Sequence, residues 1–333
     1  MSEEKKQNRT LAVLKHNFGM PSVMTWGFPL MIMAAVSLLI YLIRCLFKDP
    51  DQPLFAGSLV GFSAFMIILT LCALVLPAVI CSRNIEGEAL AGHYTGIGTL
   101  ILAFVSGIPL TMIRIPLFNL LSWVTLRISG NSVFPVFFHS DPVTPYGKAL
   151  SVLCGTVIPA FGAALFFFGL LWSRFRSTDR HQAYIAITLA FMLFSMDYTS
   201  LLASCAAAVW CCYLRSRIHN IWAPFLCLIS SDLFTLFLPE SLSKIDLFEV
   251  QTHADIGATY FYSSFPSFFM GMVLLLFFIR VLDQFSHAVR HEVTGSEYDD
   301  TIPPFARSIN LSLILTGTLF IILWVLILKG AHL

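Results

Sequence analysis

The apolar residues of this chain do not form the narrow stripes of soluble amphipathic helices. They gather into long runs, with the charges confined to the gaps between them. Nine such segments begin near Thr25, Leu54, Thr95, Tyr146, Gln182, Leu201, Asn220, Ala258 and Arg307. Apolar runs approaching ~20 residues are what a bilayer-spanning helix requires, whereas barrel strands alternate over ~10 residues. The pattern therefore predicts an all-α, polytopic transmembrane helical bundle of eight to nine helices. Two segments are short. Residues 182–196 and 201–214 would rise only about 20 to 23 Å as helices, less than the ~30 Å of hydrocarbon. They are expected to form a helical hairpin held inside the bundle or reaching a water-filled recess, rather than two lipid-exposed spans.

Composition sharpens this reading. Hydrophobic residues make up 57% of the chain and charged residues 12%, about half the charged share of ~25% in an ordinary soluble domain. A formal charge of +1 gives no support for nucleic-acid binding. The eight cysteines lie mostly inside apolar runs without a framework spacing, so they read as small buried hydrophobes rather than disulfide partners. The opening MSEEKKQNRTLAVLKHNFG is too long and too mixed in charge for a cleaved signal peptide, and the first helix is expected to stay.

Basic residues set the expected orientation. One set of segment ends holds Lys5, Lys6, Arg9, Lys15, Arg83, Arg174, Arg176, Arg180, Arg215, Arg217, Arg280, Arg290 and Arg307; the other holds Arg44, Lys48, Arg127, Lys148, Lys244 and Lys329. By the positive-inside rule the first set faces the cytoplasm, which places the N-terminus inside. The loops SRFRSTDR and RSR both fall on that side. The chain divides into a cytoplasmic segment 1–24, N-terminal helices 25–145, a core 146–238, and a loop with two helices 239–333. No internal repeat is expected.

Polar groups inside apolar runs are the candidates for chemistry, because a charge near a helix centre costs about 2.5 to 3.5 kcal/mol on insertion scales and needs a partner. Arg114, in GIPLTMIRIPLF, is the deepest base; Asp197 and Asp232, the latter beside Ser230 and Ser231, are the nearest acids. Arg114 is expected to meet Asp232 or Asp197, as an internal ion pair or on a ligand path. Pro109, Pro116 and Pro159 are expected to kink their helices. His287 and His291 stand four apart before Glu292 and could hold zinc, but with no third ligand in view they read as a solvated surface helix.

Three stretches share an order that carries a resemblance: VIPAFGAALFFFGLLWSRF, then LAFMLFS, then YLRSRIHNIWAPFLCLISSDLF. Together they resemble the CAAX-protease and bacteriocin-processing (CPBP, or ABI) intramembrane metalloproteases. That family places a proline three residues before Glu-Glu-x-x-x-Arg, then Phe-x-x-x-His, then a Trp-x-Pro entry to His-x-x-x-Asn. Pro159, Phe166, Gly169, Phe191, Trp222 and Pro224 match the scaffold. The functional positions do not match. Gly162 and Ala163 replace the glutamates and Phe167 the arginine. Ser195 replaces the first histidine, or Tyr198 in a shifted register. Leu228 replaces the second histidine, and Asp232 stands for the asparagine.

The resemblance implies a CPBP-like core in which Gly162, Ser195 and Leu228, at roughly 15, 20 and 12 Å depth, face one recess. Without metal ligands or a general base, it implies a pseudoprotease with no cofactor. Such a protein would sit in membrane lipid and bind a membrane-protein or peptide partner in an immunity or regulatory role. The alternatives are an active protease holding zinc through unusual ligands such as Asp197 or Asp232, and a transporter or channel subunit with Arg114 on its substrate path.

Overall fold

In a computed structural model, residues 59–82, 91–92, 95–129, 145–175, 180–195, 198–235, 245 and 258–290 are described, with shorter pieces inside 31–42 and 315–326. Among the described residues the chain is almost wholly helical, with a lone antiparallel bridge between Gly92 and Asn220. Helix α1 runs from Leu59–Thr70 through a π-helical stretch Leu71–Val75 into Leu76–Ser82. Helices α2 (Ile97–Val105) and α3 (Gly107–Ser129) follow. Helix α4 starts at Pro145–Val152 and continues through Leu153–Val157, Ile158–Ala163, Ala164–Leu171 and Trp172–Phe175. Then come α5 (Arg180–Phe194), α6 (Leu201–Ile218), α7 (Trp222–Thr235) and α8 (Ala258–Arg290). The segments expected near Thr25 and Arg307 lie largely outside the described residues, as do Asp197, His291 and Glu292.

Among the described residues five helices are long and apolar enough to cross a bilayer: Leu59–Ile80, Ile97–Ile128, Ala149–Leu171, Leu201–Ile218 and Ser264–Gln284. They mark the chain as an integral membrane protein with an all-α bundle. Ala183–Phe194 and Trp222–Thr235 are apolar but shorter. The expected hairpin of two short helices is thus half right. Its first arm is short, but α6 has 18 residues, about 27 Å at 1.5 Å per residue, because it continues through the basic RSR sequence instead of ending before it.

Arg215 and Arg217, expected in a cytoplasmic turn, therefore belong to the last turn of α6. Arg215 is buried, and its Nε donates to the Phe168 carbonyl at 2.8 Å. That carbonyl lies in the π-helical stretch of α4, whose wider turns disturb the usual helical bonding. Arg217 pairs with Asp283 of α8 at 3.1 Å and lies over the Tyr213 ring, while the Tyr213 hydroxyl donates to the same carboxylate at 3.1 Å. The basic end of α6 is thereby tied to two neighbouring helices.

Helix α6 ends on His219 in the left-handed region, φ 58°, and its backbone N–H bonds the Arg215 carbonyl at 3.0 Å. Asn220 Oδ1 then accepts from the Trp222 N–H at 2.9 Å, satisfying a donor at the start of α7. Residues 91–92 close over this turn: the Ile221 N–H donates to the Ala91 carbonyl at 3.0 Å. Gly92, at φ +89°, sits so close that a Cβ would collide with the His219 carbonyl oxygen.

Helix α3 is the hub, with α6, α7 and α8 packed along it, while α7 also contacts α2 and α4, and α5 pairs with α6. A break at Ser106 separates α2 from α3, three residues before Pro109. Pro109 can donate no N–H to the carbonyl one turn back, and its ring crowds that turn, so α2 cannot run on undisturbed. Pro116 is carried inside α3.

Helix α1 packs on α4. Both carry one short pattern: Leu71-Cys-Ala-Leu-Val-Leu-Pro77-Ala and Leu153-Cys-Gly-Thr-Val-Ile-Pro159-Ala. In each, a five-residue π stretch ends two residues before the proline, the place where a missing N–H and a crowded preceding turn loosen the helix.

Candidate functional site

A polar cluster lies where α3 meets α7. The Arg114 Nη1 group is 2.7 Å from Asp232 Oδ1 and 2.7 Å from Ser231 Oγ. The expected approach of Arg114 to an acid is therefore a direct ion pair, with 20% and 33% of the two side chains exposed. One turn earlier on the same face of α3, the Thr111 hydroxyl reaches the Ser231 carbonyl at 2.7 Å and its own Gly107 carbonyl at 2.9 Å, and it lies 3.1 Å from Ser231 Oγ.

Together these contacts join α3 to α7: Thr111 and Arg114 of α3 hold Ser231 and Asp232 of α7. A charge inside an apolar helix needs a partner, and Arg114 and Asp232 supply one to each other.

Close approach makes the cluster possible. A Cβ on Gly107 would lie 2.6 Å from the Cys227 carbonyl oxygen, 2.7 Å from Ser230 Cβ and 2.7 Å from the Ser231 nitrogen. Just before it, Ser106 is buried and accepts from Trp210 Nε1 at 3.1 Å, while its own hydroxyl lies 2.7 Å from the Ala103 carbonyl and 3.6 Å from Cys227 Sγ. Cys211 of α6 and Cys227 of α7 are fully buried beside this seam. Thr111 could have been found by its i−3 spacing from Arg114; Ser106 and Trp210 carry no such local signal, since they meet only through the fold.

The positions singled out by motif are placed differently from the expectation of a shared recess. Gly162 turns to α1, where a Cβ would meet Thr70 Cγ2 at 2.6 Å and Leu74 Cδ1 at 3.1 Å. Ala163 is buried. Phe167 is 0% exposed, its ring set edge-on to Phe166, Phe191 and Phe194. Leu228 is buried in the same apolar core. Ser195, at the end of α5, turns its hydroxyl back to the Met192 carbonyl at 2.7 Å. Tyr198 begins a single 3₁₀ turn before α6. Depth along a helix does not fix rotation about its axis, and the rotation of α4 at Gly162 faces that position toward α1.

Among the described residues no group of three His, Cys, Asp or Glu side chains is close enough to hold a metal ion. The chain matches no protein-family model, no curated protein and no solved structure.

Proposed function

We propose that this membrane protein is a non-catalytic bundle of the CPBP type, a pseudoprotease that works by binding a membrane-protein or peptide partner in an immunity or regulatory role. One observation supports the non-catalytic part of the reading: the positions where the family would place its ligands are filled by close-packed apolar groups, Gly162 on Thr70 and Leu74, Phe167 at 0% exposure, and Leu228 in the core. A hydrolytic water needs a general base or a metal at hydrogen-bond range, and none of these side chains supplies either. The sequence orientation, N-terminus inside a bacterial cytoplasmic membrane, belongs to the same proposal. Arg215 no longer counts as a loop charge, yet the remaining basic bias keeps its sign.

The partner surface is placed at Phe161, Trp222 and Phe225, an aromatic group joining α4 to α7 whose Phe161 and Trp222 rings are partly exposed. A photocrosslinking amino acid at position 161 or 222, in native membranes, is expected to give a discrete protein adduct, and purified protein is expected to carry no stoichiometric zinc. Bound zinc lost together with peptide cleavage in Asp232→Ala would overturn the non-catalytic reading. Absence of any adduct at both positions would overturn partner binding. The Arg114–Asp232 pair favours a second reading, transport, for which uptake into proteoliposomes abolished by Arg114→Gln is the test.

A further inference from the structure

We propose that the outward face of α8 is a binding site for an anionic phospholipid, whose phosphate is held by Arg280 while its acyl chains lie along the apolar residues below. The inference rests on the membrane class of the chain and not on the partner-binding reading. Helix α8 has two unlike sides. One is fixed on α3: Ser267 Oγ donates to the Met112 carbonyl at 3.2 Å, and a Cβ on Gly271 would lie 2.8 Å from both Ile113 Cγ1 and the Pro109 carbonyl oxygen. The other carries Phe265, Phe269, Val273 and Leu276, which are 56 to 63% exposed. Steps of four, four, three and four residues take this stripe to Arg280, as one face of a helix requires. Arg280 is itself exposed, and so is Gln284 one turn further on. Both therefore look away from the bundle.

The apolar span covers Ser264–Gln284, so Arg280 stands about 6 Å before its end. A guanidinium does not shed its charge, and among acyl chains that charge is costly unless the long stem carries it up to the headgroups. Other arginines in the spans find partners within the protein. Arg114 pairs with Asp232, Arg217 pairs with Asp283, and Arg127 lies over the Trp123 ring. Arg280 has no such partner among the described residues. Asp283, the one acid of α8, is engaged by Arg217 at 3.1 Å and by the Tyr213 hydroxyl at 3.1 Å. Its charge is thereby offset and does not repel an anion beside Arg280.

An outward cation at headgroup height, standing over an apolar stripe, has the layout of a phosphodiester joined to two acyl chains. The guanidinium fork presents paired N–H donors to two phosphate oxygens, and Gln284 adds an amide donor on the same face. A headgroup with net negative charge is favoured over a zwitterionic one, whose own cation competes with Arg280. A soluble phosphate ester would meet the charge but leave the stripe uncovered.

The test uses the full chain in proteoliposomes of equal phosphatidylglycerol and phosphatidylcholine, with a photocrosslinking amino acid at position 276, one turn below Arg280, and adducts identified by mass. Phosphatidylglycerol adducts should exceed phosphatidylcholine adducts by about fivefold, the weight of one basic residue near anionic lipid. The same probe at position 68, on the exposed Ile68 of α1, should return equal yields. Arg280→Gln should bring position 276 to equal yields with an unchanged melting temperature, since the side chain faces outward; Arg280→Lys should keep part of the preference. Equal yields at 276 in the otherwise unaltered chain would overturn the site, and a preference that survives Arg280→Gln would overturn the role of Arg280. Adducts with a second copy of the chain would assign the face to an interface between copies instead. Soluble glycerol phosphate should not compete; loss of the preference on adding it would assign the cation to a soluble ester and overturn the lipid.

Discussion

At the scale of single residues, the seam between α3 and α7 depends on what is missing from Gly107. Its three nearest neighbours would lie between 2.6 and 2.7 Å from an added Cβ, and two of them are backbone atoms of α7 that cannot rotate away. Gly107→Ala should therefore force the helices apart, at a cost of about 1 to 3 kcal/mol of overpacking, and it should weaken the Thr111 and Arg114 contacts that the close approach allows. Gly98 is the matched control. It lies in α2, and a Cβ added there would meet nothing within 4 Å, so Gly98→Ala gains helix propensity without a clash and should be neutral or stabilising by up to about 1 kcal/mol. Thermal unfolding of both variants in one detergent checks the pair. Equal melting temperatures would mean that α3 and α7 are not in close contact at Gly107.

At the scale of elements, α3 and α7 are joined by polar contacts as well as by close packing. The Thr111 hydroxyl of α3 lies 2.7 Å from the Ser231 carbonyl of α7 and 3.1 Å from Ser231 Oγ. Thr111→Val preserves shape and removes only that hydroxyl. A loss of about 0.5 to 1.5 kcal/mol is expected, read as a lower melting temperature, whereas Thr111→Ser should retain most of the stability. Equal losses in Val and Ser variants would assign the effect to the methyl group instead.

Much of this layer was legible in the sequence: segment starts near Thr95, Leu201, Asn220 and Ala258 fall within a few residues of the helices found. The end of α6 was not, because Arg215 and Arg217 look like loop residues to a rule that counts charges. Their burial and pairing depend on Phe168 and Asp283, which are remote in sequence. A basic residue whose partner lies in another helix gives no local sign of being inside.

For the molecule as a whole, apolar runs and charge gaps fixed the class, and the Arg114–Asp232 pair followed from the cost of burying either charge alone. What spacing could not supply was the direction in which each helix faces, and that decides whether the motif positions share a recess. Gly162 is the critical case. Its nearest side chains are Thr70 and Leu74 of α1, so α1 and α4 are in contact there and the position is occupied by a helix interface. A double variant, Thr70→Cys with Gly162→Cys, tests this directly. Replacing Thr70 removes the Cγ2 that would stand 2.6 Å from the new Cβ, which brings two thiols into the range a disulfide spans. Mild oxidation in membranes should link the two helices rapidly, seen as a covalent join between fragments after cleavage at a protease site inserted within 83–90. Leu228→Cys paired with Gly162→Cys should not link under the same conditions. If the second pair joins and the first does not, Gly162 faces α7 rather than α1, and the recess implied by the CPBP resemblance is restored.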